Sequence, residues 1–139
     1  MDRIESCISF LVGKAAQQIT RRAREALAPH GVTPVQYAVL KILWQREGQS
    51  GAELGSRLAL DSATVTGVLD RLEGAGLLER RSDDDDRRVN RLHLTPNGSA
   101  LRKPLDAAMD RLNAQVTREL GERASSTWAV LRQLGEVPT

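Results

Sequence analysis

A chain of 139 residues, 40% hydrophobic and 27% charged, has the size and balance of one globular domain that buries its core without disulfides or a structural metal. Aromatics are only 3%, which leaves the core to Leu, Val, Ile and Ala and favours packed helices over a β-sandwich. The net charge of +2 is mildly basic, and a lone cysteine, Cys7, excludes an internal disulfide and a cysteine-held metal. Of the 20 basic residues only Lys14, Lys41 and Lys103 are lysines. Arginine suits two-pronged contact with phosphate and guanine. Genomic base composition enriches arginine equally well, so charge alone does not name nucleic acid as the partner. No leader peptide or long apolar run is legible, so the expected location is the cytoplasm, with no membrane segment.

In chain order, the spacing predicts a long amphipathic helix from Met1 to about Ala28, with Ile4, Ile8, Leu11, Ala15, Ile19, Ala23 and Leu27 on one face. Pro29-His30-Gly31 ends it. Thr33, Pro34 and Gln36 carry the cap, first-turn proline and capping-box signals of a second helix, with Val35, Val39, Ile42 and Leu43 inward and Gly48 as its stop. Ser50 and Glu53 form another capping box, opening a short helix with Leu54, Leu58 and Leu60 inward. Asp61-Ser62 opens the next, with Val65, Val68, Leu69 and Leu72 facing the core and Gly76 as a left-handed cap. Leu77–Ser82 and Arg88–Leu94 read as a hairpin around the acidic run Asp83 to Asp86, with Leu92 and Leu94 on one face and Arg91 and His93 on the other. Thr95-Pro96 caps a long helix striped by Leu101, Leu105, Ala108, Met109, Leu112, Val116 and Leu120, which Pro104 should kink. Gly121 separates a last helix bearing Trp128, Leu131 and Leu134.

A short helix, a tight turn and a second helix form the arrangement that sets one helix into the major groove of DNA. The second of these helices leaves Ser62, Thr64, Thr66, Gly67, Asp70 and Arg71 outside. Its small hydroxyls permit close approach, and a helix N-terminus attracts phosphate. A solvated Ser/Thr face would look the same; the hairpin tips the balance, with a solvated charged turn as the alternative. Its tip carries Asp86-Arg87-Arg88, and an arginine on a tip suits the narrow, negative minor groove. Asp86 is placed to hold Arg88 extended. Asp83 to Asp86 would repel phosphate unless they point away or are neutralised by Arg80, Arg81 and Arg87.

The run Leu60 to Gly98, "LDSATVTGVLDRLEGAGLLERRSDDDDRRVNRLHLTPNG", resembles the recognition helix and wing of the MarR family of bacterial winged helix-turn-helix transcriptional regulators. Its D-R-R and the L-T-x-x-G after it are the most specific parts, and "VTPVQYAVLKIL" (Val32 to Leu43) resembles the preceding helix. The resemblance implies a mainly α fold in one unit, 1–139. Residues 32–95 would form the DNA-binding region, and 1–30 and 96–139 the dimerisation helices. It implies a homodimer on a palindromic operator, usually repressing, and released by a small aromatic acid, thioester or other lipophilic effector. Ser62, Thr64, Thr66 and Arg71 would contact DNA from the recognition helix, and Asp86, Arg87 and Arg88 from the wing. Phe10, His30, Tyr37, Trp44 and Met109 fall near the family's effector cleft, although core packing explains such residues equally well.

The residues also point to pairing between chains, with packing of the terminal helices on their own domain as the alternative. The terminal helices carry apolar stripes, and one small domain offers both of them little surface. Some family members sense hydroperoxides through a first-helix cysteine, but here that position matches Ser9, not Cys7, and Glu5 would disfavour a thiolate. The competing function is a winged module for protein contact, against which stand the hydroxyl face and the wing arginines. No nucleophile–base pair, phosphate loop, metal spacing or cofactor motif suggests an enzyme.

Overall fold

The structure is a computed structural model that describes residues 1–136; residues 137–139, the end of the expected C-terminal dimerisation segment, lie outside the described residues. Among the described residues, seven α-helices and one hairpin follow in order. These are α1 (Ile8–Leu27), α2 (Pro34–Gln45), α3 (Gly51–Leu58), α4 (Ser62–Gly74), β1 (Leu78–Ser82), β2 (Asn90–Leu94), α5 (Pro96–Ala100), α6 (Arg102–Leu120) and α7 (Ala124–Gly135). The class is mainly α with a small β-hairpin, as the sequence predicts.

Local chemistry places the helix starts. Thr33 Oγ1 accepts the Gln36 N–H at 3.3 Å while Gln36 Oε1 accepts the Thr33 N–H at 3.0 Å, so α2 opens on a complete capping box. Ser50 and Glu53 repeat this at α3, at 3.1 and 3.4 Å. The Asp61 carboxylate takes the Thr64 N–H at 2.7 Å at the start of α4. Each cap satisfies first-turn donors that have no partner within the helix. Gly76 closes α4 with φ +74, the left-handed region where glycine has no Cβ penalty.

Three boundaries depart from expectation. A 3-10 turn at Ile4–Ser6 and an extended Cys7 (φ −86, ψ 118) precede α1, so the helix does not run from Met1. Apolar spacing continues across this break, and a period count does not see a single non-helical residue. The helix expected from Thr95 divides at Leu101 into α5 and α6. Pro104 is the third residue of α6, within the first turn, where a missing N–H costs nothing, so it follows a break instead of kinking a continuous helix. Finally, α2 stops at Gln45, before Gly48, whose N–H instead donates to the Leu92 carbonyl at 2.8 Å.

The core gathers Val39, Leu40 and Leu43 of α2, Leu54 of α3, Val65, Leu69 and Leu72 of α4, and Leu78 and Leu92 of the hairpin, all buried. Leu27 and Leu105 bring α1 and α6 to it. The hairpin pairs antiparallel from Leu78↔Leu94 to Ser82↔Asn90, and the buried Gln49 adds one bridge to Leu92. Of the two β2 faces, that of Leu92 turns inward, as alternation predicts. The Trp44 Nε1–H donates to the Gly98 carbonyl at 3.0 Å, which satisfies the indole where it is buried. A Cβ at Gly98 would collide with the Leu77 carbonyl oxygen, so the approach of α5 to β1 requires glycine there.

The long helices differ from this core. α1 lies along α6, joined at one end by the two-pronged Arg22–Glu119 pair at 2.7 and 3.1 Å, and α7 folds back against α6. Only Ala23 and Leu27 of the α1 stripe are buried; Ile4, Ile8, Leu11, Ala15 and Ile19 are exposed. On α7, Trp128 is half-buried and Leu131 and Leu134 are exposed. Among the described residues no helix is long and apolar enough to cross a membrane.

Candidate nucleic-acid interface

Two helices in a tight turn build the first half of the site. α3 ends on Ala59 in left-handed conformation (φ 54), the Leu60 N–H returns to the Gly55 carbonyl at 2.9 Å, and Asp61 starts α4. The inward stripe Val65, Val68, Leu69 and Leu72 fixes the roll of α4. That roll leaves Ser62, Thr64, Thr66, Asp70 and Arg71 exposed on the opposite face, with Gly67 half-buried. The α4 N-terminus already holds an anion of its own. The Thr64 backbone and side-chain bonds keep the Asp61 carboxyl below the usual carboxylate range.

The wing builds the second half. Its loop, 83–89, is closed by Asp83 N–H to Val89 O at 2.9 Å and Val89 N–H to Asp86 O at 3.0 Å. Asp86 then grips Arg88 three times, taking the backbone N–H and Nε at 3.1 Å and Nη2 at 3.2 Å. These bonds hold the Asp86 carboxyl below its ordinary range, so the pair is charged at neutral pH. The Arg88 side chain is 90% exposed, extended into solvent with its guanidinium still open to an anion. Bracing of Arg88 by Asp86 is thus present in the folded chain.

Of the other acidic residues of the run, Asp84 and Asp85 are exposed, and Asp83 is neutralised by an arginine other than the three expected. Asp83 is paired by Arg91, through Nε and Nη2 at 2.9 Å, and not by Arg80, Arg81 or Arg87. Arg80 is spent on α4, reaching Asp70 at 2.8 Å and Glu73 at 3.2 Å, and Arg81 pairs with Glu79. The carboxylates Asp70 and Glu73, three apart on one helix face, were the signal for the Arg80 clamp. Arg91 had no local signal, because Asp83 lies across the loop and Glu53, 3.4 Å from its Nη1, belongs to α3.

A groove of about 520 Å³ separates α4 from the hairpin. Thr66, Leu69 and Asp70 line one side, Arg80, Arg88, Val89 and Asn90 the other, and Ser50–Ala52 the end. Ser62 and Thr66 also edge a smaller cavity of about 320 Å³ between α3 and α4. Thr66 and Arg88 therefore meet across one concavity, with Thr64, Arg71 and Arg87 on the exposed surface beyond it. Among the described residues, Arg71 and Arg87 make no ion pair.

The five effector candidates do not assemble into one pocket. Tyr37 and Trp44 pack edge to face at 6.0 Å, and Met109 lies against the same core. Tyr37 O–H donates to Asp106 at 2.8 Å, and Lys41 Nζ donates to both Asp106 oxygens at 2.9 Å, linking α2 to α6. Burial and the Asp106 bond push the Tyr37 hydroxyl well above the usual phenol range. Desolvation acts to raise the Asp106 carboxyl, but the Lys41 and Tyr37 bonds outweigh it and the net direction is down. His30 is half-buried in the 3-10 turn after α1. Phe10 sits far from this group in sequence and on the exposed part of α1, under the Lys14 ammonium at 5.9 Å. Cys7 is half-buried ahead of α1.

Two helices in tandem, a short hairpin at their flank and a groove between them define a winged helix-turn-helix fold. The chain belongs to the MarR family, whose model matches residues 32–89. It is 39% identical over 120 residues to the HTH-type transcriptional regulator TtmR of Methylorubrum extorquens, a match covering 86% of this chain. The chain spans only 62% of that relative's length. A probable transcriptional regulator from Pseudomonas aeruginosa superposes with a TM-score of 0.87 at 32% identity, covering 95% of this chain and 99% of that one. The transcriptional repressor CouR, solved bound to a 23-mer DNA duplex, superposes with a TM-score of 0.84 at 26% identity, covering 98% and 97% of the two chains.

Proposed function

We propose that this chain is a sequence-specific regulator that binds double-stranded DNA. In this reading α4 enters the major groove, with Ser62, Thr64, Thr66 and Arg71 toward bases and phosphates, while Arg88, with Arg87 beside it, enters the adjacent minor groove. The observation that carries it is Arg88, held out by Asp86 across the groove from Thr66 and 90% exposed. Two copies join through α1, α6 and α7 and place two such units on a palindrome, with half-sites about one helical turn apart. Regulation is repression in the cytoplasm, as the likeness to a DNA-bound repressor supports. A small aromatic acid, thioester or other lipophilic effector releases the DNA by acting where α2 meets α6. The activity is binding, with no catalytic step.

The test is an anisotropy titration against a duplex that the protein itself selects from a random pool. Arg88→Ala should weaken binding by about 1–3 kcal/mol at fixed salt. Equal affinity of the variant and the parent chain would remove the wing from the interface. Adding aromatic acids and their thioesters to the same titration tests release.

A further inference from the structure

We infer that Arg91 is a positioning residue that ties the wing to α3 and thereby sets where Arg88 points, an inference that rests on the DNA-binding reading above. Arg91 bonds Asp83 through Nε and Nη2 at 2.9 Å, and its Nη1 reaches Glu53 at 3.4 Å. Glu53 is the capping-box residue of α3, with its other oxygen on the Ser50 N–H. Asp83 in turn holds the loop. One of its oxygens takes the Asp85 N–H at 2.8 Å, and its own N–H closes on Val89. Val89 closes on Asp86, and Asp86 grips Arg88. An unbroken path of polar contacts therefore runs from the start of the helix-turn-helix to the wing arginine.

The wing needs such an anchor. Every residue of the 83–89 loop is exposed or half-buried, so apolar packing contributes little to ordering it. The two arginines of the wing also stand differently. Arg88 is 90% exposed with one carboxylate behind it, whereas Arg91 is 36% exposed and sits between two. Arg91 is thus occupied inside the protein, and Arg88 is the one available to the DNA.

This division makes an opposite-sign prediction at two neighbouring aspartates. Simple electrostatics holds that removing any wing carboxylate tightens DNA binding. If Asp83 is part of the clamp, removing its charge loosens the wing and weakens binding. Asp84 is exposed and accepts no hydrogen bond among the described residues, so only the electrostatic effect remains there.

The experiment measures affinity and its salt dependence for the full chain on a palindromic duplex that the chain selects from a random pool. Arg91→Gln should weaken binding about three- to tenfold, the worth of a partly exposed charged hydrogen bond, and leave the salt slope unchanged. Arg88→Gln should weaken binding and lower the slope by about 0.9, as loss of one cation that displaces a counterion from the DNA requires. Asp83→Asn should weaken binding and Asp84→Asn tighten it. The double variant Arg91→Gln with Asp83→Asn should bind no worse than the weaker single. Arg91→Lys, which keeps the charge and the fold but lacks the fork, should keep the parent slope and the parent melting temperature yet still weaken binding. A slope lowered by Arg91→Gln would make Arg91 a direct phosphate contact and overturn the inference. Tightening by Asp83→Asn to match Asp84→Asn would overturn it as well. If Arg88→Gln behaves as stated while the Arg91 variants match the parent, only the clamp fails. If the chain selects no duplex, the DNA-binding reading itself fails.

Discussion

The winged unit and the terminal helices solve the burial problem in opposite ways. Between Val32 and Leu94 the apolar stripes of α2, α3, α4 and the hairpin close on one another, and Leu40, Leu43, Leu54, Leu72 and Leu92 have almost no exposed surface. Along α1 and α7 the same kind of stripe is left open, with Ile8 66%, Leu131 57% and Leu134 61% exposed. A contiguous apolar face of this kind is unusual on a protein that acts as a single chain. The winged unit is complete in one chain, and the terminal helices are the surface for which a second copy is proposed. Both kinds of stripe show helical spacing in the sequence; the tertiary structure gives the exposure that separates a stripe with a partner from a stripe without one.

The comparison breaks first at the open face. Ile8→Glu together with Leu131→Glu should convert a dimer to monomers in sedimentation. Affinity for a palindromic duplex should fall by about 100-fold or more as the two half-sites lose their linkage. Hydrogen exchange in the same variant should quicken in α1 and α7 and leave α2 and α4 protected. Equal loss of protection in both regions would mean that the winged unit is not complete alone. On the closed side, Leu72→Ala removes a fully buried side chain and should cost about 2–5 kcal/mol in denaturant unfolding.

The smallest effect lies where the two regions meet. Asp106 of α6 holds Tyr37 and Lys41 of α2, and its carboxyl is depressed, so its contribution is present above the usual carboxylate range and disappears as pH falls through the folded value. Asp106→Asn should therefore cost about 1 kcal/mol at neutral pH, and the difference from the parent should shrink toward zero in acid. A difference that stays constant with pH would assign the cost to packing and not to charge.

How much was legible follows the range of each interaction. The Thr33, Ser50 and Asp61 caps join residues three apart and were readable, as was the left-handed Gly76. Asp86 and Arg88, two apart, were readable as a pair. The partner of Asp83 was not, because Arg91 is eight residues away and becomes its neighbour only after the hairpin closes. The extended Cys7 and the break at Leu101 were equally hidden, because both leave the apolar period nearly intact. Of the five effector candidates, Tyr37, Trp44 and Met109 pack on one core, but the bonds to Asp106 and Gly98 that engage two of them depend on where α5 and α6 return.

In the proposed assembly α4 and the wing together face DNA, twice, across a two-fold axis. Selection by the full chain from a pool of random duplexes tests it most directly. The expected result is enrichment of a palindrome with half-site centres about one turn apart, flanked by narrow-groove A·T steps where Arg88 would enter, and loss of that flanking preference with Arg88→Ala. Enrichment of no sequence, or of a single half-site alone, would contradict it.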